Sequence, residues 1–201
     1  MHNTFVSAGE EPLVAQLGAH HRNRVLEHLR ALSPNDLRLR FGYAITDEAL
    51  QRYVRRLHFS RDALFGIFDE AAQLIALGHL GFDQGARAKT TAEFGVSVLP
   101  QMQRQGFGMR LLQRAAMHAR NRGATQLMMT YVAENDALRR MALRAGMKLA
   151  HDHHEPRAFL DLQPPTAASL MDETFSEILA AIDLGFRVAN ADVATHRITS
   201  A

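Results

Sequence analysis

The segment Ala92-Glu93-Phe94-Gly95-Val96-Ser97-Val98-Leu99-Pro100-Gln101-Met102-Gln103-Arg104-Gln105-Gly106-Phe107-Gly108 constrains the fold more than any other. A valine- and phenylalanine-rich strand ends, the chain turns, and two glycines stand at the mouth of an amphipathic helix. Phe107, Leu111, Leu112, Ala115 and Ala119 recur at helical spacing, and Gly123 follows where a helix C-cap favours glycine. Glycine lets backbone approach a ligand without a Cβ in the way. The first turn of a helix carries unpaired N–H groups and the positive end of the helix dipole. Together they make an anion site of a size suited to a pyrophosphate. No Lys-Ser/Thr pair follows, so this is not the loop of a nucleoside-triphosphate-binding strand–loop–helix.

On either side, helices and strands alternate. Leu13 to Leu17 reads as a short strand, and Val25, Leu26, Leu29 and Leu32 as a helix face. Ser33-Pro34-Asn35-Asp36 and Thr46-Asp47-Glu48 each begin a further helix, with a hydroxyl cap and acids in the first turn. Leu64–Phe68 and Leu74–Phe82 flank a polar tip at Asp69-Glu70 and read as a hairpin. Leu127 to Ala133 reads as a strand, Asn135 to Ala145 as a helix ended by Gly146, and Met147–His151 and Arg157–Leu162 as two last strands. Gln163-Pro164-Pro165-Thr166 is the clearest break. Beyond it Leu170, Met171, Phe175, Ile178, Leu179 and Ile182 mark one more amphipathic helix before the tail thins out. The order predicts an α/β domain over residues 12–162, a mixed central sheet flanked by helices, with a helical extension over 163–201. The apolar stripe of that extension must be buried, either on its own domain or on a partner; a homodimer is the expected state.

Composition limits the chemistry. The 201 residues include no cysteine, which excludes thiolate zinc sites, disulfides and a cysteine nucleophile. Twenty-three basic residues nearly balance 21 acidic ones, for a net charge of +2, and tryptophan is absent; no nucleic-acid partner is expected. No apolar run approaches the roughly 20 residues that span a bilayer, and the N-terminus lacks a signal pattern, so a cytoplasmic domain without a membrane partner is expected.

Gln103-x-x-Gly106-x-Gly108 after a strand resembles the acetyl-CoA loop of the GNAT family of N-acetyltransferases, and Glu134-Asn135, Leu138, Met141, Ala142 and Gly146-Met147 resemble that family's second cofactor motif. Leu37-Arg38-Leu39-Arg40-Phe41, Ala92-Glu93-Phe94-Gly95-Val96 and the Glu134-Asn135 helix start are similar to the acetyltransferase domain of bacterial Pat-type protein lysine acetyltransferases. The resemblance implies the GNAT fold, acetyl-CoA as cosubstrate, and an amine acceptor, either a protein lysine or a small amine. It implies that the amides of Gln103, Arg104, Gln105, Gly106, Phe107 and Gly108 hold the pyrophosphate. The backbone at Val96 and Val98 would pair with the pantetheine arm, and Asn135 would hydrogen-bond it while also serving as a helix N-cap. Glu93 falls at the position of the catalytic glutamate, and burial in a cleft would raise its pKa toward that of a working base. A backbone N–H near Val96 to Val98 is the expected donor to the thioester carbonyl.

One family feature is missing: where many members carry a tyrosine acid, seven positions after the asparagine, this chain has Ala142. Thiols ionise near pH ~8.5, so departure without a dedicated acid is feasible. That gap keeps a second reading open, a non-catalytic acetyl-CoA-binding regulatory module. Tyr131 reads as core packing and His79 as a strand histidine rather than an alternative base. His151-Asp152-His153-His154-Glu155 reads as a polar turn, not a metal site, and no metal is expected. Arginine carries almost all the positive charge, since only Lys89 and Lys148 are lysines; base composition accounts for that, and Arg38 and Arg40 are secondary candidates for an acceptor groove.

Overall fold

A computed structural model describes residues 12–82, 90–151 and 155–199, with side chains at 151 and 192–199 left out. The His151–Glu155 cluster therefore lies almost wholly outside the described residues. Seven strands form one sheet in the order β1-β2-β3-β4-β5-β7-β6: β1 Ala15–Leu17, β2 Ala63–Phe68, β3 Leu74–Phe82, β4 Thr91–Val98, β5 Gln126–Thr130, β6 Lys148–His151 and β7 Pro156–Asp161. Every neighbouring pair is antiparallel except β4 and β5. Parallel neighbours need a long crossover, and helix α4 (Phe107–Asn121) supplies it.

The remaining helices are α1 Arg22–Arg30, α2 Pro34–Phe41, α3 Asp47–Arg55, α5 Asp136–Arg144 and α6 Ala167–Thr199. Their starts follow from local chemistry. The side chains of Ser33, Thr46 and Asn135 each accept a hydrogen bond from an amide in the first turn, at Asp36, Ala49 and Leu138. Gly123 and Gly146 adopt φ of +82° and +75° just past the ends of α4 and α5, where any side chain would be strained.

Two differences from the sequence expectation stand out. The apolar run after Thr130 does not extend β5, because its ladder with β7 ends at the Thr130–Arg157 pair. And α6 does not thin out after Ile182 but continues to Thr199.

Alternation along β4 sorts the two faces of the sheet. Phe94 points toward α4: a Cβ on its neighbour Gly78 would meet both the Phe94 ring and Leu111. Glu93, Gly95 and Ser97 point to the opposite face, beneath α1 and α2. There the buried His28 of α1 hydrogen-bonds through Nδ1 to the Leu74 carbonyl (2.9 Å) and through Nε2 to Ser97 Oγ (2.8 Å). The core contains Phe65, Phe94, Leu80, Leu111, Leu127 and Met129, all at most 2% exposed.

Helix α6 docks on the α4 side. Arg114 of α4 donates to Glu173 Oε1 (2.8 Å) and Glu177 Oε1 (2.7 Å). His118 Nδ1 and Asn121 Nδ2 reach the two oxygens of Glu173 at 2.5 and 2.6 Å. Burial alone would raise the Glu173 carboxyl; the bonds from His118, Asn121 and Arg114 overcome it and hold the pKa at about 2. His118, Glu173 and Glu177 are close enough to share a cation. The positive charge between the two carboxylates is supplied by Arg114.

Candidate active site

β4 and β5 run side by side only from Thr91 to Glu93, paired with Gln126 to Met128. Beyond that point β4 keeps β3 on one side through Val98 but, among the described residues, has no strand on the other. The result is a notch with Glu93 at its apex and an open strand edge along Phe94 to Val98. An edge of this kind offers N–H and C=O groups to an extended ligand.

The mouth of α4 closes one end of the notch. Arg104 adopts φ of +64° and Gly106, the residue before α4, φ of +85°. A non-glycine residue in the left-handed region costs energy, and here the conformation belongs to the loop that aims its backbone at the groove. No side chain caps α4, so its first-turn amides from Phe107 onward keep free N–H groups. The Gln103 side chain ties the loop to α2 through Asp36 Oδ1 at 3.1 Å.

These residues border a groove of about 600 Å³ that includes Val96, Val98, Gln103, Arg104, Gly106, Phe107, Gly108 and Asn135. Gln105 is exposed on the same loop. The groove also takes in Arg40, Arg104, Arg140 and Arg144 against Asp36 alone. A positively charged groove with unpaired amides at one end and an open strand edge along its side suits a long ligand with an anionic end. Asn135 spends its Oδ1 on the cap to Leu138 N (3.0 Å), leaving its amide NH₂ to donate.

A second cavity, of about 320 Å³, opens on the other side of Glu93 and is lined by Arg40, Tyr53, His79, Gly81, Glu93, Gly95, Thr130 and Glu155 among others. Arg40 and Thr130 border both cavities. Thr130 Oγ1 donates to Glu93 Oε1 at 3.1 Å across the notch. Glu93 is exposed, without the burial that its apolar strand suggests. Its partner on β3 is Gly81 and its next neighbour along β4 on the same face is Gly95, so side chains flank it only from β5, where Met128 is its partner.

His79 engages the cavity residue Tyr53 through Nδ1, while its Nε2 is buried without a hydrogen-bond partner. Tyr53 Oη lies 2.9 Å from its Nδ1, and Asp62 Oδ2 lies 3.5 Å from its Nε2. Burial, and then the Arg40 charge, lower its pKa. It orients Tyr53 and is not placed as a base. Tyr131 is 4% exposed and Ala142 0% exposed, both packed into the core.

The sequence reading missed Thr130, Tyr53, Arg140 and Arg144. Arg140 and Arg144, four apart on α5, carry a helical-spacing signal that could have placed them on one face. Thr130 and Tyr53 carry none, since only the tertiary fold brings them to Glu93.

The profile of the acetyltransferase (GNAT) family matches residues 27–147. The chain belongs to that family and is an acetyl-CoA-dependent GNAT N-acetyltransferase. Among solved structures, the GNAT domain of S. lividans PAT superposes with a TM-score of 0.63 at 19% identity, covering 74% of this chain and 89% of that one. Spermidine N-acetyltransferase from Vibrio cholerae, in complex with CoA and spermine, gives 0.57 at 16% identity, covering 74% and 94%. RimL, a ribosomal L7/L12 alpha-N-protein acetyltransferase in complex with coenzyme A, gives 0.59 at 16%, covering 76% and 96%. At these identities the likeness shows the fold. A search of curated proteins finds no match. No helix among the described residues is long and apolar enough to cross a membrane.

Proposed function

We propose that the chain transfers an acetyl group from acetyl-CoA to an amine by direct attack, with Glu93 as the base. The observation that carries this reading is the position of Glu93 at the apex of the β4–β5 notch, between the groove and the second cavity. Acetyl-CoA supplies an acyl group activated as a thioester. The loop amides from Gln103 to Gly108, with Arg104, Arg140 and Arg144 nearby, hold its phosphates. The open edge of β4 at Val96 and Val98 pairs with the pantetheine arm, and the Asn135 NH₂ donates to it.

Glu93, held by Thr130, accepts a proton from the acceptor ammonium, directly or through one water. The freed amine forms its bond to the acetyl carbon as the C–S bond breaks. A β4 amide between Val96 and Val98 donates to the carbonyl oxygen as charge gathers there. The amine nitrogen loses its second proton as the amide forms, and the departing thiolate takes up a proton through solvent, since Ala142 has none to give and Tyr131 is buried. With no cysteine in the chain, the transfer needs no cysteinyl acyl-enzyme. The likeness of the Ala92–Val96 segment to Pat-type domains supports the role of Glu93, and on that likeness alone a protein lysine would be the acceptor.

Thermal unfolding with acetyl-CoA tests the cofactor half of the reading. A ligand at 100 times its Kd stabilises by about 2.7 kcal/mol, which at about 2–4 °C per kcal/mol is a shift of roughly 5 to 11 °C. Release of free CoA in the presence of an amine tests the transfer. No shift at millimolar acetyl-CoA contradicts the proposal.

A further inference from the structure

Among the described residues, Arg40 is the one cation that borders both the second cavity and the groove. It is half-buried. Its guanidinium forms no ion pair or hydrogen bond among the described residues, and its one aromatic contact is the Phe41 ring at 5.3 Å. Other half-buried arginines on this side of the sheet are engaged: Arg22 donates to the Val54 and Leu57 carbonyls and Arg24 to the Ala72 carbonyl. Arg40 instead lies flat on the backbone of β4. A Cβ at Gly95 would come within 2.4 Å of its guanidinium carbon, so only glycine permits this position. Gly95 is two residues from Glu93 on the same face, about 7 Å along the strand. A planar fork that matches carboxylates in two parallel hydrogen bonds thus sits one strand repeat from the base, with no carboxylate of its own.

From this we propose, on the footing of the acetyl-transfer reading, that the acceptor is a small amino acid: an amine whose carboxylate is held by Arg40 while its ammonium faces Glu93. An ammonium and a carboxylate on the same carbon, each one hydrogen bond from its partner, span about 8 Å between carboxylate and guanidinium, in keeping with the strand spacing. The small cavity of about 320 Å³ fits a molecule of that size. A polyamine or a lysine side chain has no carboxylate to offer Arg40 and would be met in this cavity only by the carboxylates of Glu93 and Glu155.

The test is the rate of CoA release with free L-amino acids and with the same amino acids as carboxamides. The wild-type protein is expected to favour the acids about 10- to 100-fold in kcat/KM, the range of a charge-assisted pair. In Arg40→Gln that ratio is expected to collapse toward one through a rise in KM for the acids. An unchanged ratio, including an equal loss on every acceptor, would mean that Arg40 acts on the thioester and would overturn the proposal. So would a wild-type preference for amides, polyamines or lysine peptides. Calorimetry on the CoA-saturated wild-type protein gives a second readout that needs no variant: an N-acetyl amino acid should bind and its amide should not, and equal affinities refute the assignment. Failure to bind acetyl-CoA at all would instead refute the acetyl-transfer reading beneath it.

A separate observation on α6 supports a second inference. Met171, Phe175, Ile178, Leu179, Ile182 and Phe186 are 52–68% exposed. At helical spacing they fall on an arc about 100° wide, opposite the buried Glu173, Ala180 and Leu184. The charged residues of Ala167 to Ala191, namely Asp172, Glu173, Glu177, Asp183 and Arg187, all fall outside that arc. The exposed area of the six comes to roughly 700 Å², above the ~300–600 Å² of the largest patch on a typical monomer and close to the ~800 Å² that each partner contributes to a stable interface.

We infer that a second copy of this chain covers this face in a symmetric α6–α6 contact. An uncharged face can meet its own copy without like-charge repulsion. Light scattering should give twice the chain mass at micromolar concentration, and Ile178→Glu with Ile182→Glu should give the monomer mass while acetyl-CoA binding is kept. A monomeric wild-type protein, or a dimer that survives both charges, overturns the assignment.

Discussion

Glu93 owes its exposure to what flanks it. Gly81 across the ladder and Gly95 along the strand leave it open on those sides, and among the described residues Thr130 supplies the single hydrogen bond to the carboxylate. Thr130→Val removes that bond and keeps the shape of the side chain. Its expected effect is a fall in kcat of about 10- to 100-fold, the worth of one hydrogen bond to a charged group, with acetyl-CoA affinity unchanged; steady-state kinetics and calorimetry check it. Gly95→Ala acts on Arg40 instead. The added methyl meets the movable end of a long side chain, so the protein should fold with Arg40 displaced and should lose its preference for acids over amides, as Arg40→Gln does. At this scale the sequence was only partly legible. Glu93 stood out because its apolar strand resembles that of Pat-type domains, in which the same position carries the catalytic glutamate. Arg40 entered only with Arg38 as a secondary candidate for an acceptor groove, and Thr130 not at all, because Gly95 and Glu93 lie 55 and 37 residues away from them in the chain and nothing local marks the meeting.

Among the elements, α1 and α6 are held by groups whose protonation matters. His28 is buried, and desolvation lowers its pKa to about 4. It therefore stays neutral in the folded chain while its unfolded counterpart titrates near ~6.5. The unfolded state binds the extra proton, so stability is full above pH ~6.5 and falls as the pH drops toward 4. Glu173, held at about 2, adds a second loss of the same sign between about pH 4.5 and 2. Unfolding midpoints from pH 8 to 3 should show a plateau and then a decline beginning near pH 6.5; a midpoint that rises on acidification would contradict both assignments. Glu173→Ala leaves Arg114 with Glu177 alone and His118 without an acceptor. It should cost about 2–3 kcal/mol at pH 7 and much less near pH 2, by denaturant titration. Caps and C-terminal glycines made the helix boundaries readable, since each is a local hydrogen-bond or φ requirement. The end of β5 at Thr130 and the splay after Glu93 were not readable, because apolar composition continues past the point where a neighbouring strand departs.

For the whole molecule, a near-neutral net charge of +2 conceals an uneven distribution. Arg40, Arg104, Arg140 and Arg144 gather at the groove, while one face of α6 carries no charged residue between Ala167 and Ala191. Composition cannot show either, since both depend on which residues the fold brings to one surface. Parallel pairing that stops at Glu93 leaves an open strand edge and, across the same carboxylate, a second cavity, and the proposed function assigns the first to the cosubstrate and the second to the acceptor. The central claim is that Glu93 is the base working at that junction. The most direct measurement is CoA release by Glu93→Gln beside acetyl-CoA binding by the same variant. The account predicts turnover reduced at least 100-fold with a thermal shift on acetyl-CoA equal to that of the wild-type protein. Turnover at the wild-type rate would contradict it.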